Sequence, residues 1–444
     1  MDTYTQFIFE SYELDTASHE IRLHYSLDGS TKFTETLPLP ADLPLGRAND
    51  PDVKRALFAL HLAGGASYYK TYLPREIVVK SGQLSQKQAD FWNEFYTKGL
   101  GEFFFINKID FHGLVKFPAT GPDAPLATTT PSLPVKTLVP FGGGKDSVVT
   151  MELLLDNNVN MTLFRLRGHH YIDQLADITK LPMITVERSL DPTLFEMNKQ
   201  GALNGHVPIT GYITFLSIVI CLLGDFDSVA FSNERSADYG NVEYLGMQIN
   251  HQWSKSDEAE GLITDYLASY VTTNVQYLNP LRPLSELKIA QIFARHPKYF
   301  AHTTSCNQNW LMLDKNPGQG AWCGKCYKCA FIFALYAAEL PNDTVVTMYG
   351  QNLFNNKELL TTYRQLWGAE GMKPFDCVGT PEEMKAAMYQ ATKKPAFANT
   401  VIGQDFITNV WHTMQDPEKL IQEALKPDFT GVSHTIRELL QGAI

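Results

Sequence analysis

Near the middle of the chain, Val139-Pro140-Phe141-Gly142-Gly143-Gly144-Lys145-Asp146-Ser147 joins an apolar stretch to a helical one through three consecutive glycines. The apolar stretch, Thr137 to Phe141, is predicted as a strand. The helix is predicted to begin near Asp146 and to run from Ser147 to Asp156. Glycines leave no side chain between the backbone and a ligand, and their N–H groups add to the free N–H groups of the helix start. Such a bend cradles anionic oxygens. It is not a Walker A loop, which needs Gly-x-x-x-x-Gly-Lys followed by Ser or Thr. Asp146 stands where that hydroxyl would be, and a carboxylate beside phosphates needs a divalent cation between them. The loop therefore points to a polyphosphate and Mg2+ together.

The rhythm around this loop sets the fold class. Met161–Leu166, Met183–Val186 and Ser228–Phe231 are apolar enough for buried parallel strands, and Thr210 to Gly224 is predicted as a helix before the last of them. This alternation predicts an α/β, doubly wound parallel sheet, with the glycine loop at the carboxyl end of a strand. Residues 1–130 are predicted as an N-terminal α+β region. It would have strands at Phe7–Phe9, Ile21–Tyr25 and Phe33–Leu37, a turn at Asp28-Gly29, and helices at Asp52–Leu62 and Ser85–Lys98. Pro118 to Pro134 has linker chemistry, with Gly121, Pro122, Pro125, Pro131 and three successive threonines. Residues 131–340 would form the nucleotide-binding domain and residues 341–444 a mainly helical C-terminal region.

A chain of 444 residues with a formal net charge of −11 lacks the basic surface a general nucleic-acid binder needs. Ile209 to Leu223 is the longest apolar run, but it contains Thr210, Gly211, Thr214 and Ser217 and is too short for a membrane span. No cleavable signal opens the chain, and six cysteines in this length do not make a disulfide scaffold. The expectation is a cytoplasmic enzyme with a small-molecule substrate.

Cys323, Cys326 and Cys329 form a doubled C-x-x-C, with Cys306 available as a fourth thiolate. Four sulfurs satisfy tetrahedral Zn2+ and leave no open position, which describes a structural site. An iron–sulfur cluster, unliganded thiols or one reactive thiolate are the alternatives. Lys315, Lys325 and Lys328 would offset the charge, and Ala330 to Leu340 would pack behind as a helix. Two polar segments flank buried elements. Asn204-Gly205-His206 precedes the long apolar helix, and Ser232-Asn233-Glu234-Arg235-Ser236-Ala237 follows the fourth strand and continues to Gly240-Asn241. Arg235 suits a carboxylate or phosphate held by two bonds, and Glu234 suits Mg2+. Either residue suits a buried ion pair equally well.

The loop Gly142-Gly143-Gly144-Lys145-Asp146-Ser147 resembles the pyrophosphate loop of PP-loop ATP pyrophosphatases, with Gly142 in place of the usual serine. The cysteine arrangement is similar in kind to that of 7-cyano-7-deazaguanine synthase, with a longer insertion from Asn307 to Trp322. The loop, Asn204-Gly205-His206, Ser232 to Ala237, Trp322 to Phe331 and Asp376-Cys377-Val378-Gly379 together resemble the UDP-N-acetyl-α-D-muramoyl-L-alanyl-L-glutamate epimerase family. That resemblance implies an enzyme of peptidoglycan precursor synthesis. It would invert the terminal L-Glu of UDP-MurNAc-L-Ala-L-Glu through an acyl-adenylate, with ATP and Mg2+ consumed to AMP and pyrophosphate.

On this reading the backbone of Gly142, Gly143 and Gly144 and the side chain of Ser147 hold pyrophosphate, with Lys145 and Arg235 as further contacts. Asp146 and Glu234 hold Mg2+. The base that removes the Cα proton is expected to be His206, then Cys377 or Tyr239, because an imidazole titrates near neutral pH. His169-His170 is a further candidate for nucleotide contact. Another PP-loop adenylating enzyme, or a nucleotide-binding module without chemistry, are the competing readings.

Overall fold

A computed structural model describes residues 4–127, 135–310 and 321–444. The expected linker threonines and Lys315 lie outside the described residues. The N-terminal region begins with β1 (Gln6–Asp15), β2 (Glu20–Leu27) and β3 (Thr31–Pro38), an antiparallel meander. Asp28 and Gly29 turn the chain with φ of 52° and 70°, a left-handed pair that Asp and Gly tolerate best. Helix α1 (Pro51–Gly64) follows, with the Asp50 carboxylate capping its start. Next, β4 (Glu76–Val79) pairs parallel to β1. Helix α2 (Gln86–Gly99) starts at a capping box made by Ser85 and Gln88. The short α3 (Gly101–Ile106) ends the region.

The second sheet is fully parallel. It contains β5 (Thr137–Pro140), β6 (Met161–Leu166), β7 (Met183–Val186), β8 (Ser228–Ala230) and β11 (Gln276–Leu278), in the order β11-β8-β5-β6-β7. Its interleaved helices are α4 (Lys145–Asp156), α5 (His170–Thr179) and α6 (Ile209–Leu223). A small hairpin, β9 (Val242–Tyr244) with β10 (Met247–Ile249), lies between β8 and β11. Helices α7 (Glu286–Phe293), α8 (Tyr327–Glu339) and α9 (Pro381–Thr392) follow. Past residue 340 the described chain is helical, with connecting loops.

Alternation along the strands divides the core in two. Leu138 and Phe164 join a cluster containing Phe7, Phe9, Leu57, Leu60 and most of α6. Their neighbours Val139 and Leu163 join a cluster with Val148, Leu287, Phe331 and Met384. The N-terminal region thus covers one face of the parallel sheet and the later helices cover the other. Helix α6 is apolar nearly all round because it lies between the sheet and α1, where no face meets water. Arg188 forks onto Glu35 of β3 with two bonds of 2.9 Å, and Tyr212 of α6 donates to the same carboxylate at 2.6 Å. Glu35 is wholly buried, so removing Arg188 would strand its charge. Among the described residues, no helix is long and apolar enough to cross a membrane.

The order of the parallel sheet has a consequence for ligands. From β5 the chain moves to β6 and β7 on one side, then returns to β8 on the other. The crevice between the carboxyl ends of β5 and β8 is therefore the switch point, where sheets of this kind bind ligands. The glycine loop follows β5, and the Ser232–Ala237 segment follows β8.

Candidate functional site

The glycine loop is held open by its neighbours. Gly143 has φ +75°, a backbone region that disfavours a side chain. A Cβ on Gly144 would lie 2.6 Å from Ser305 Oγ, and Thr304 N–H donates to Gly143 O at 3.1 Å. Gly142 has open space where a Cβ would be. Gly144 caps α4 without a side-chain hydrogen bond, so the first-turn N–H groups face the bend. The Ser147 hydroxyl donates to Gly144 O at 3.0 Å.

This loop lines a cavity of about 370 Å³ at the switch point. Gly142, Gly144, Asp146 and Ser147 form one wall; Ser232, Asn233, Ser305, Lys255, Lys328 and Cys377 face it from later parts of the chain. Ser232 Oγ is buried there without a hydrogen-bond partner, as a site that awaits a polar ligand would have it. Asp146 is the carboxylate of the lining. Burial pushes its pKa upward against the pull of Lys145, and Glu286 and Glu234 add to the rise. A divalent cation would relieve that crowding of acids, so the residues fit Mg2+.

Cys377 is the cysteine that lines the cavity. Its segment is pinned from three sides. Lys328 donates to Cys377 O, Gln252 to Val378 O at 3.1 Å, and Asn307 to the Asp376 carboxylate at 2.8 Å. Lys255 Nζ lies 3.8 Å from Cys377 Sγ. Burial raises the thiol, but the charges of Lys255 and His251 outweigh it and bring the pKa to about 7.

Other expected residues stand elsewhere. Lys145 is fully buried and does not line the cavity; its ammonium sits between Asp146 and Glu286. Burial would raise Glu286, yet Lys145 and Lys328 hold it down to about 2. Glu234 is buried behind the cavity wall, 2% exposed. Arg235 donates to the carbonyls of Lys426 (3.2 Å) and Pro283 (3.5 Å) and lines a separate cavity with Tyr239, Glu382 and Glu423. Tyr239 is 44% exposed there. His169 and His170 stack on each other at the start of α5, outside the glycine-loop cavity.

The four cysteines converge. The sulfurs of Cys306, Cys323, Cys326 and Cys329 all lie within 4.8 Å of one another. Cys323 and Cys329 are 3.7 Å apart, close to the ~3.8 Å edge of a tetrahedron built on Zn–S bonds of about 2.3 Å. Backbone N–H groups of Cys323, Lys325 and Cys329 point at sulfurs at 3.4 Å, and Gly324, with φ +67°, makes the tight turn. The donor set fits a closed, structural zinc ion.

Comparison with known proteins decides the family. Residues 1–279 match the family model described as the MurL N-terminal domain, and residues 302–420 match the MurL C-terminal domain. The chain belongs to the MurL family. A UDP-N-acetyl-alpha-D-muramoyl-L-alanyl-L-glutamate epimerase of Xanthomonas oryzae pv. oryzae is 36% identical over 420 residues, covering 94% of this chain and 92% of the relative. A Micromonospora protein of the same name is 37% identical over 394 residues, covering 87% and 86%. Membership makes the chain an enzyme, an isomerase.

In this MurL-family chain His206 lies outside the cavity. It sits 3.6 Å from Glu102 and 4.6 Å, ring to ring, from His251. Burial and the neighbouring His251 lower its pKa to about 4. His251 differs: burial lowers it, but the charges of Cys377 and of its hydrogen-bonded partner Glu102 prevail and raise it to about 10. Glu102, His251, Lys255 and Ser305 were not singled out in the sequence, because none belongs to a local motif. Lys328 was visible within the cysteine triplet, but its partners, Glu286 and Cys377, come from remote segments.

Proposed function

We propose that this MurL-family enzyme inverts the terminal L-Glu of UDP-MurNAc-L-Ala-L-Glu to D-Glu, with ATP converted to AMP and pyrophosphate. The relatives that cover most of the chain carry the name of that epimerase. One observation carries the chemistry: the glycine loop and a low-pKa thiol, Cys377, line the same cavity.

ATP, when bound, supplies the AMP that converts the substrate carboxylate into a mixed anhydride. A free carboxylate resists loss of the neighbouring Cα proton, because a second negative charge would accumulate on the same group. As an anhydride its carbonyl accepts the electron pair. The backbone of Gly142 to Gly144 and Ser147 would hold the leaving pyrophosphate, with Lys255 and Lys328 supplying positive charge to the cavity. Asp146 would hold magnesium, with Glu234 behind it. Zinc would sit in the four-cysteine site as a structural ion.

Cys377 is the base in this reading, in preference to His206 and Tyr239. Its thiolate takes the Cα proton; the C–H pair passes to the carbonyl as an enolate, and a solvent water gives a proton to the opposite face to make the D centre. Hydrolysis of the anhydride releases the product, and ATP cleavage makes the near-neutral inversion directional. The reaction belongs to peptidoglycan precursor synthesis in the cytoplasm.

The test is chiral analysis of glutamate after incubation of the L,L-dipeptide precursor with ATP and Mg2+. D-Glu, with AMP and pyrophosphate in equal amounts, is the expected result. AMP formed with some other acid and no inversion would instead favour a different adenylating enzyme. Asp146→Asn is expected to abolish AMP formation while the melting temperature is retained. Normal turnover in that variant would remove Asp146 from the site.

A further inference from the structure

The Asn204-Gly205-His206 motif does not line the glycine-loop cavity and takes no part in the chemistry above. Its histidine meets two residues from other parts of the chain. Glu102 lies on α3 of the N-terminal region, and His251 follows β10. His251 Nδ1 is hydrogen-bonded to Glu102 Oε2. His206 Nδ1 faces the same oxygen at 3.6 Å, beyond hydrogen-bonding distance, and the two rings are 4.6 Å apart. One ligand atom from each residue lies within 4.8 Å of the other two.

Glycines let these segments approach. A Cβ on Gly205 would lie 3.0 Å from the Phe103 ring, and one on Gly101 would lie 3.3 Å from Ile249 Cδ1. The first approach brings the His206 loop against α3. The second brings β10 there, two residues before His251. Polar bonds then fix the loops. Asn204 Oδ1 accepts from the Gly205 N–H at 2.9 Å and from the buried Lys70 ammonium at 2.6 Å. Asn241 Oδ1 accepts from the His251 N–H at 2.8 Å. The three side chains are 16–18% exposed, so solvent ions reach them.

An ion pair accounts for His251 and Glu102 but not for the second imidazole, which at 3.6 Å gains no hydrogen bond from that oxygen. A divalent ion between them engages all three. Zn–N and Zn–O bonds of about 2.0–2.1 Å give a tetrahedron with edges of about 3.3 Å, close to the spacing of His206 and Glu102. On binding, His251 withdraws from Glu102 and the proton they share leaves to solvent.

We propose that Glu102, His206 and His251 form a second metal centre, which takes a divalent ion of the zinc, cobalt or nickel class and leaves a fourth position to water. Imidazole nitrogens favour these ions over Mg2+, so the centre is separate from the magnesium proposed at Asp146. It also differs from the four-cysteine site. An open position and partial exposure make its ion exchangeable, whereas four thiolates retain zinc through purification. The ion joins the N-terminal region to the segments that precede α6 and follow β10.

The centre does not depend on the proposed epimerisation, so it is tested without ATP or substrate. The full chain, with zinc in its four-cysteine site, is titrated with Co2+ in the presence of excess Mg2+. One equivalent should bind, with visible d–d bands and no sulfur-to-cobalt charge-transfer band, and Zn2+ should displace it. His206→Ala and Glu102→Gln should each lose this equivalent and keep the zinc already bound. His112→Ala, at an exposed histidine paired with Asp110, should keep both ions. If His206→Ala keeps the wild-type melting temperature and still takes up the cobalt, or if wild type takes up none, the centre is overturned. A charge-transfer band on the added equivalent would place cobalt on thiolates and overturn it equally. Should Glu102→Gln fail to fold, His206→Ala and His206→Asn decide by the same titration. Cobalt uptake in a chain that never inverts glutamate would keep the centre and remove the epimerase reading.

Discussion

Five of the six cysteines fall into two sites whose surroundings oppose each other. At Cys306, Cys323, Cys326 and Cys329 the sulfurs face one another and backbone N–H groups, and none lines the glycine-loop cavity. At Cys377 a single sulfur faces Lys255, His251 and an open cavity. The same element is suited to structure in one place and to proton transfer in the other. What separates them is whether a thiolate is neutralised by an ion shared among four sulfurs or by fixed side-chain cations beside a ligand space. The two sites also meet. Thr304 and Ser305, which brace Gly143 and Gly144, lead directly into Cys306, so the four-cysteine site lies next to the glycine loop that lines the open one.

Removing the ion from the closed site should have the largest effect. Cys326 also caps α8, whose buried face builds the second core. Chelation, or the pair Cys326→Ala and Cys329→Ala, should release one zinc per chain and cost several kcal/mol of stability, since structural zinc binding is part of folding free energy. The checks are metal analysis and thermal unfolding. An unchanged melting temperature in metal-free protein would erase the distinction between the two sites. Next in size, Cys377→Ser should slow Cα deuterium exchange by about 10³-fold, within the usual range for a general base. It should retain zinc and form AMP normally. Loss of zinc in that variant would break the comparison from the other side.

Much of this was legible in local pattern. β6 and β7 have the predicted bounds because each is a short, mostly apolar run, and α6 is displaced by one residue. The three-residue β11 and the β9–β10 hairpin were not legible, because so short a strand carries no periodicity. β4 was missed for a different reason: its pairing with β1 bridges about seventy residues. In the site, the glycine loop, the four cysteines and Cys377 belong to compact motifs. Glu102, His251 and Lys255 acquire their roles only when three distant segments fold together. His206, although part of a motif, does not line the cavity and packs against Glu102 and His251 instead.

The charge around Cys377 can be adjusted by smaller steps. Activity that needs the thiolate should fall as pH drops through about 7, where the sulfur takes up its proton, and should level off above. Lys255 is a principal cause of the lowered value, so Lys255→Met should move this acid limb upward by about one pH unit. The pH dependence of kcat/KM for deuterium exchange measures it. Lys255 lies against Cys377 and is not part of the four-cysteine cluster, whose zinc content should be the same in the variant.

The smallest expected effect concerns two glycines separated by one residue. Gly142 has open space at its Cβ position, so Gly142→Ser should change stability by less than about 0.5 kcal/mol. It also places a hydroxyl beside the loop where the PP-loops it resembles have one, so pyrophosphate inhibition should be equal or tighter. A Cβ on Gly144 would lie 2.6 Å from Ser305 Oγ, one residue from Cys306, so Gly144→Ala must turn that hydroxyl aside in the segment that leads into the four-cysteine site. Unfolding midpoints and pyrophosphate inhibition constants of the two variants measure the contrast. If Gly144→Ala is as mild as Gly142→Ser, the cradle does not lean on the closed sulfur site, and the two sites are independent neighbours in one fold.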